Sequence, residues 1–286
     1  MNADVTDRSA VVDGHRLHYL TAGEAEPGRT ILFLHGGIID AAHLSWGAAI
    51  DTLAENHRVI GLDMLGYGAS AIPDIEYTTV LHVDTVEEFL DAIGVDRPTV
   101  LGTSLGGGVA LGLALQAPEK IDGLVLADSF GLGRELPNGD LSYALARLPV
   151  LNKLSITLLR RNKGLARASL GGIVEDPSSI PDALVDDFYT QLQRPGVGRA
   201  FRRWRANEVT RAGYRTVYVD RLEEIDHPTL VLHGGEDDLF PPRWAKRAAD
   251  RLPNADLRIF EDCGHWLPRE KPAECNDAIA AFLRDG

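Results

Sequence analysis

Short apolar runs alternate along the chain with stretches in which apolar positions recur every three or four residues; the first is a strand signature, the second a helical one. The runs Thr30-Ile31-Leu32-Phe33-Leu34, Arg58-Val59-Ile60-Gly61-Leu62, the run ending at Leu101, Ile121 to Asp128, Pro228 to His233 and Asp256 to Phe260 predict strands. Several are apolar at every position, as strands buried on both faces require. Helices are predicted between them over 43–56, along a face marked by Val80, Val83, Val86, Leu90 and Ile93, and over 105–116, 243–252 and 272–284. Ahead of these, Asp13-Gly14 separates two alternating runs, the strongest short-range signal for a hairpin.

The alternation stops after Asp128. From 134 to 215 the pattern is helical, with Leu184, Phe188 and Leu192 on one face after Pro181 and Phe201, Trp204 and Val209 on another, broken at Gly171-Gly172, Asp176-Pro177 and Pro195-Gly196. This predicts an α/β core over 1–133 and 216–286 with a helical insertion over 134–215. Strands alternating with helices imply a mostly parallel sheet, whose ligand site lies at the carboxyl ends of its strands.

One strand end carries chemistry. Gly102-Thr103-Ser104-Leu105-Gly106 lies between a buried strand and a buried helix, so the chain must reverse sharply at Ser104, with glycines where strand and helix crowd each other. The Ser104 hydroxyl would stand clear of the sheet, and the Leu105 amide at the helix N-terminus would face a developing oxyanion. A serine needs a base, and a histidine base needs a carboxylate to fix its tautomer. His265 follows the last strand in a glycine-flanked turn, and Asp237 follows the strand before it, giving the order serine, acid, histidine. Asp238, one residue on, stays open as the acid.

Composition narrows the partners. The 286 residues suit one enzyme-sized unit, and the net charge of −13 argues against a nucleic-acid partner. No stretch of about 18 apolar residues and no secretory leader pattern occurs, so no membrane partner is expected. The two cysteines, Cys263 and Cys275, have no metal-ligand or disulfide-framework spacing, which points to reduced thiols in a cytoplasmic protein with neither metal nor cofactor. Oligomeric state is not legible.

His35-Gly36-Gly37, Asp63-x-x-Gly66-x-Gly68-x-Ser70, the Ser104 elbow, Gly234-Gly235-Glu236-Asp237-Asp238-Leu239-Phe240-Pro241 and Cys263-Gly264-His265-Trp266 occur in order. Through these five motifs the chain resembles the α/β-hydrolase fold superfamily over nearly its whole length. The resemblance implies Ser104 as nucleophile, His265 as base, Asp237 as acid, oxyanion amides from Gly37 and Leu105, and an insertion that caps the site. Ile38 and Trp266 are expected at the substrate pocket, although Trp266 can equally pack against the cap; His35, His233, Asp63 and Ser70 read as structural.

Within the superfamily the resemblance is to capped esterases and to hydrolases that cleave carbon–carbon bonds in ring-fission products. Against the latter, Gly36-Gly37-Ile38-Ile39-Asp40 replaces their glycine-rich loop, and Asp187-Phe188 stands where they place an arginine. Hydrolysis of a small-molecule ester through an acyl-enzyme is therefore the first expectation, carbon–carbon cleavage the second, and a non-catalytic small-molecule receptor the alternative from another class. The insertion holds 14 basic and 8 acidic residues, leaving −19 on the remainder. That asymmetry fits a basic cap docked on an acidic core. It also fits one of Arg199, Arg202, Arg203 and Arg205 reaching a substrate carboxylate.

Overall fold

The computed structural model describes residues 4–24 and 28–285. The Asp13-Gly14 turn joins β1 (Thr6–Val12) to β2 (His15–Ala22) as an antiparallel pair. β3 (Thr30–Leu34), β4 (Arg58–Leu62), β5 (Thr99–Thr103), β6 (Gly123–Ala127), β9 (Thr229–Gly234) and β10 (Ala255–Phe260) continue the sheet. The order is β1-β2-β4-β3-β5-β6-β9-β10, with β2 antiparallel to β4 and every later pairing parallel. The sheet is mostly parallel, as the sequence pattern predicts.

α1 (Ala42–Leu53), α10 (Leu267–Glu270) and α11 (Pro272–Asp285) cover one face with Trp46, Ile50, Leu267, Cys275 and Ile279; α2 (Thr79–Ile93), α3 (Leu105–Gln116) and α9 (Arg243–Arg251) cover the other. α3 is buried on all sides from Leu105 to Ala114, so it shows no amphipathic stripe. α2 departs from the predicted face. Val80 is 60% exposed, while Thr79 is buried and donates its hydroxyl to Glu208. The N-cap hydroxyl of Thr78 accepts the Leu81 amide and starts this helix, and Thr79 Oγ1, bonded to both Glu208 and Trp204 Nε1, faces inward.

Between β6 and β9 run α4 (Asp140–Ala146), α5 (Pro149–Arg161), α6 (Lys163–Leu170), α7 (Asp182–Leu192) and α8 (Arg199–Glu208). Leu184, Phe188 and Leu192 form the buried face of α7, as their spacing predicts. Val209 instead leaves the helix and opens a two-stranded ribbon, β7 (Val209–Thr210) with β8 (Gly213–Tyr214). Glu208, buried at the end of α8, accepts hydrogen bonds from Thr79 Oγ1, the Thr216 amide and Thr216 Oγ1, so one anion ties the insertion to α2.

The elbow tests the crowding argument directly. A Cβ on Gly106 would lie 2.3 Å from the Leu34 carbonyl oxygen, whereas one on Gly172 meets nothing closer than 3.6 Å. Gly106→Ala should therefore fail to give soluble, folded protein, and Gly172→Ala should keep its melting temperature to within about 4 °C, the shift that about 1 kcal/mol produces. Thermal unfolding monitored by circular dichroism checks both.

Candidate active site

Ser104 sits between β5 and α3 at φ 50° and ψ −118°, a conformation L-residues rarely adopt. Its amide donates to the Ala127 carbonyl of β6, and its own carbonyl accepts from Gly107, Gly108 and Phe130. The peptide is held on both sides, and the side chain projects beyond the strand ends. A Cβ at Gly102 would strike the Gly106 carbonyl oxygen at 2.3 Å, the second contact that requires glycine here.

His265 Nε2 lies 3.0 Å from Ser104 Oγ, and His265 Nδ1 lies 2.8 Å from Asp237 Oδ2. Asp237 is buried, and its Oδ1 accepts from the amides of Leu239 and Phe240. A carboxylate at Nδ1 fixes the proton there, so Nε2 presents its lone pair to the serine hydroxyl. Asp238 is exposed and stands outside this chain of bonds. The structure thus brings together the three residues singled out from the sequence and resolves the choice of carboxylate at the turn by position.

Burial opposes charge on His265, but the charge and hydrogen bond of Asp237 outweigh it, with Asp128 and Glu270 adding, and the imidazole is raised above its ordinary 6.5. Burial likewise opposes charge on Asp237, and the charge and hydrogen bond of His265 hold it below the usual carboxylate value.

The Leu105 and Gly37 amides have no acceptor among the described residues and flank the elbow, Leu105 Cβ lying 3.8 Å from a Cβ built on Gly37. The Gly37 loop is closed from within. Asp40, buried, accepts from the Gly36 amide at 2.8 Å, from the Ala41 amide at 2.8 Å and from Ser45 Oγ at 2.6 Å, and Trp266 Nε1 donates to Ser45 Oγ at 3.0 Å. Ile38 takes a left-handed φ of 60° at the tip of this loop and lines the cavity. Trp266 lines the cavity as well, so it both packs and faces the ligand space.

The remaining loop residues are structural in the way their partners dictate. His35 Nε2 accepts the Met64 amide, which leaves the proton on Nδ1 to be donated to the Gly36 carbonyl. His233 Nε2 donates to the Phe240 carbonyl. Asp63 accepts from His18, Ala42 and Ala69, and Ser70 Oγ donates to the Asp63 carbonyl. Burial pushes the Cys263 thiol far up, which keeps it protonated.

Asp128 at the end of β6 was visible in the sequence only as a strand-end residue, and its position reveals more. One oxygen accepts the Gly234 amide at 2.9 Å and the other the Leu267 amide at 3.1 Å, strapping together the loops that carry Asp237 and His265. Burial among these groups raises it to about 6. Asp128, His233 and Asp237 bring potential ligand atoms within 4.8 Å of one another, but Asp237 Oδ2 and His233 Nε2 already serve His265 and Phe240.

A cavity of about 390 Å³ opens from Ser104 between the sheet and the insertion. Its walls are mostly apolar, with Phe130, Leu159, Leu170, Phe188, Phe201 and Leu239 among them. Among the described residues, Arg205 of α8 is the only Lys or Arg on its lining. Arg199 donates to the Ile72 carbonyl, Arg202 to the Gly198 carbonyl, and Arg203 to the Ile75 carbonyl and Asp74. Arg205 Nε and Nη2 are buried without a hydrogen-bond partner, and burial lowers its affinity for the proton. Tyr214 is also on the lining, its phenol raised to about 12 by burial.

Residues 29–272 match the family model for the alpha/beta hydrolase fold. The chain belongs to that family and is a hydrolase of the α/β fold. It is 30% identical over 283 residues to a 2-hydroxymuconate semialdehyde hydrolase of Pseudomonas putida, covering 97% of this chain and 94% of that protein. It is 29% identical over 282 residues to a 2-hydroxy-6-oxo-6-(2'-aminophenyl)hexa-2,4-dienoic acid hydrolase of Metapseudomonas resinovorans, covering 97% and 90%. Among solved structures it superposes on a serine hydrolase involved in carbazole degradation with a TM-score of 0.82 at 25% identity, covering 99% and 100%.

Two outcomes follow for the turn and the base. Asp237→Asn should cost activity by about 10⁴-fold, because an amide holds the wrong tautomer, and Asp238→Asn should change it less than about twofold. Because the base acts neutral, the acid limb of the pH–kcat/KM profile should lie above 6.5 and activity should rise with pH through it. Steady-state kinetics across pH 5–9 reads both; equal losses at 237 and 238 would contradict the assignment.

Proposed function

We propose that the chain is a serine hydrolase that cleaves a carbon–carbon bond in the acidic product of aromatic ring fission, by way of an acyl-enzyme. In this reading Ser104 is the nucleophile, His265 the general base, Asp237 its orienting acid, and the Gly37 and Leu105 amides the oxyanion donors. Residues 134–215 act as the cap that closes the site over the core of 1–133 and 216–286. The two buried thiols fit a reducing, cytoplasmic setting.

The substrate is an acid whose conjugated enol ends in a carbonyl. Once the enol tautomerises, its proton moves to the carbon beside that carbonyl, and the bond between them can break. His265 Nε2 takes the Ser104 proton as Oγ adds to the carbonyl carbon, and the oxyanion is held by the two amides. Collapse breaks the carbon–carbon bond, and its electron pair delocalises onto the enolate oxygen, which takes the proton back from the imidazolium. Water, deprotonated by His265, then releases the acyl group from Ser104.

Arg205 is the observation that carries this reading over simple ester hydrolysis. Arg205 is half-buried, but its Nε and Nη2 are cut off from water without an acceptor, which is costly, and in a cavity beside Ser104 their natural partner is an anionic group of the ligand. A carboxylate matches its fork in bidentate fashion. Phe188, buried on α7, offers no such donor, so α8 supplies the cation in this chain. The names of the relatives support the same substrate class. Ester hydrolysis uses the same three groups and makes no demand on Arg205.

Arg205→Met should raise KM for 2-hydroxy-6-oxo-2,4-heptadienoate, the substrate named for another relative, by about tenfold or more while leaving p-nitrophenyl acetate turnover within about twofold. Turnover of the ester alone by the unaltered protein, with no effect of Arg205→Met, would return the assignment to an esterase.

A further inference from the structure

The stretch 140–167 carries six basic side chains, Arg147, Lys153, Arg160, Arg161, Lys163 and Arg167, against one acidic residue, Asp140, in a chain of net charge −13. The same stretch exposes six leucines to between 40% and 59%: Leu141, Leu145, Leu148, Leu154, Leu158 and Leu165. Helices that face water normally turn polar side chains outward. On α5 the outward positions include Leu154 and Leu158, one turn apart, with Lys153 and Arg161 exposed beside them. Lys163 and Arg167 are neutralised by Asp186 and Asp182, but Lys153 and Arg161 meet no carboxylate among the described residues.

α5 packs against both α4 and α6, so these side chains share one region of the surface. The inner sides of the same helices line the cavity through Ser142, Leu145 and Leu159. We propose that the outer face of α4, α5 and α6 docks on an anionic lipid surface, with Leu154 and Leu158 entering the interface and Lys153 and Arg161 meeting the headgroups.

Charge decides between occupants. A second copy packed on this face about a twofold axis would set the same basic groups against themselves, whereas an anionic bilayer complements them. The rest of the molecule, at −19 outside 134–215, is repelled by such a surface, which leaves this face as the one that approaches. The expectation of no membrane partner rested on the lack of a spanning run. No helix among the described residues is long and apolar enough to cross a membrane, but a peripheral contact needs a basic, apolar face rather than a span. The inference does not depend on which bond the enzyme breaks.

Co-sedimentation of the full chain with phosphatidylcholine vesicles, with and without phosphatidylglycerol, tests it. Bound fraction should rise about tenfold with phosphatidylglycerol and fall severalfold at about 0.5 M salt. Leu154→Asp with Leu158→Asp should abolish binding, and Lys153→Glu with Arg161→Glu should remove its dependence on phosphatidylglycerol. Both variants should keep their melting temperature and p-nitrophenyl acetate turnover, since none of the four residues lines the cavity. Equal sedimentation with neutral and anionic vesicles, or binding unchanged in the leucine variant, would overturn the proposal. So would light scattering that finds a dimer in the unaltered chain and a monomer in the leucine variant, because the face would then belong to a second copy.

Discussion

Everything in the site depends on how close α3 comes to the ends of β3 and β5. The chain can reverse at Ser104 only because Gly102 and Gly106 lack a Cβ, each having a backbone carbonyl oxygen 2.3 Å from where one would be. Ser104 carries the strain of a positive φ, a cost of order 1–3 kcal/mol, and four hydrogen bonds of its own peptide groups hold it there. In exchange its hydroxyl stands at a fixed height above the sheet, where an imidazole 161 residues further along the chain can reach it at 3.0 Å.

The base and acid are held with similar economy. Asp128 joins their two loops through the Gly234 and Leu267 amides, and Glu270 accepts from the Gly264 and Trp266 amides on either side of His265. The His265 amide donates to the Ile173 carbonyl, so the insertion also grips the base loop. The imidazole is thereby held in its orientation toward Ser104 by the protein alone, the preorganisation that the proposed general-base role requires. The Asp40 carboxylate closes the Gly37 loop through the Gly36 and Ala41 amides and Ser45 Oγ, and leaves the Gly37 amide without an acceptor among the described residues.

The fold and the turn at Ser104 were legible because their signals are local, whereas Asp237 and Asp238 read alike until Asp237 is set against His265 Nδ1. Asp13-Gly14, the apolar runs and the elbow glycines each act within a few residues. What escaped is what depends on distant partners. Asp128 looks like any residue after a strand until Gly234 and Leu267, over a hundred residues away, are placed on it. Val80 fits the helical period but lost the buried position to Thr79, which Glu208 draws inward. Val209 continues a helical spacing yet pairs with Tyr214 in a ribbon. The four arginines around Trp204 look alike in sequence; three find backbone carbonyls across the insertion boundary or just ahead of α8, and Arg205 is left for the cavity.

Core and insertion share the cavity: the core sets Ser104 at its base and lines it with Ile38, Phe130 and Leu239, and the insertion adds Leu159, Leu170, Phe188, Phe201 and Arg205. The alignment of Ser104 with His265 and Asp237 is the claim on which the rest stands. Incubating the intact protein with a fluorophosphonate and mapping the adduct by mass spectrometry tests it most directly. The account predicts a single stoichiometric adduct on Ser104, formed at least about 10³-fold more slowly in a folded His265→Ala variant. No adduct on the folded protein, or one at another residue with Ser104 untouched, would contradict it.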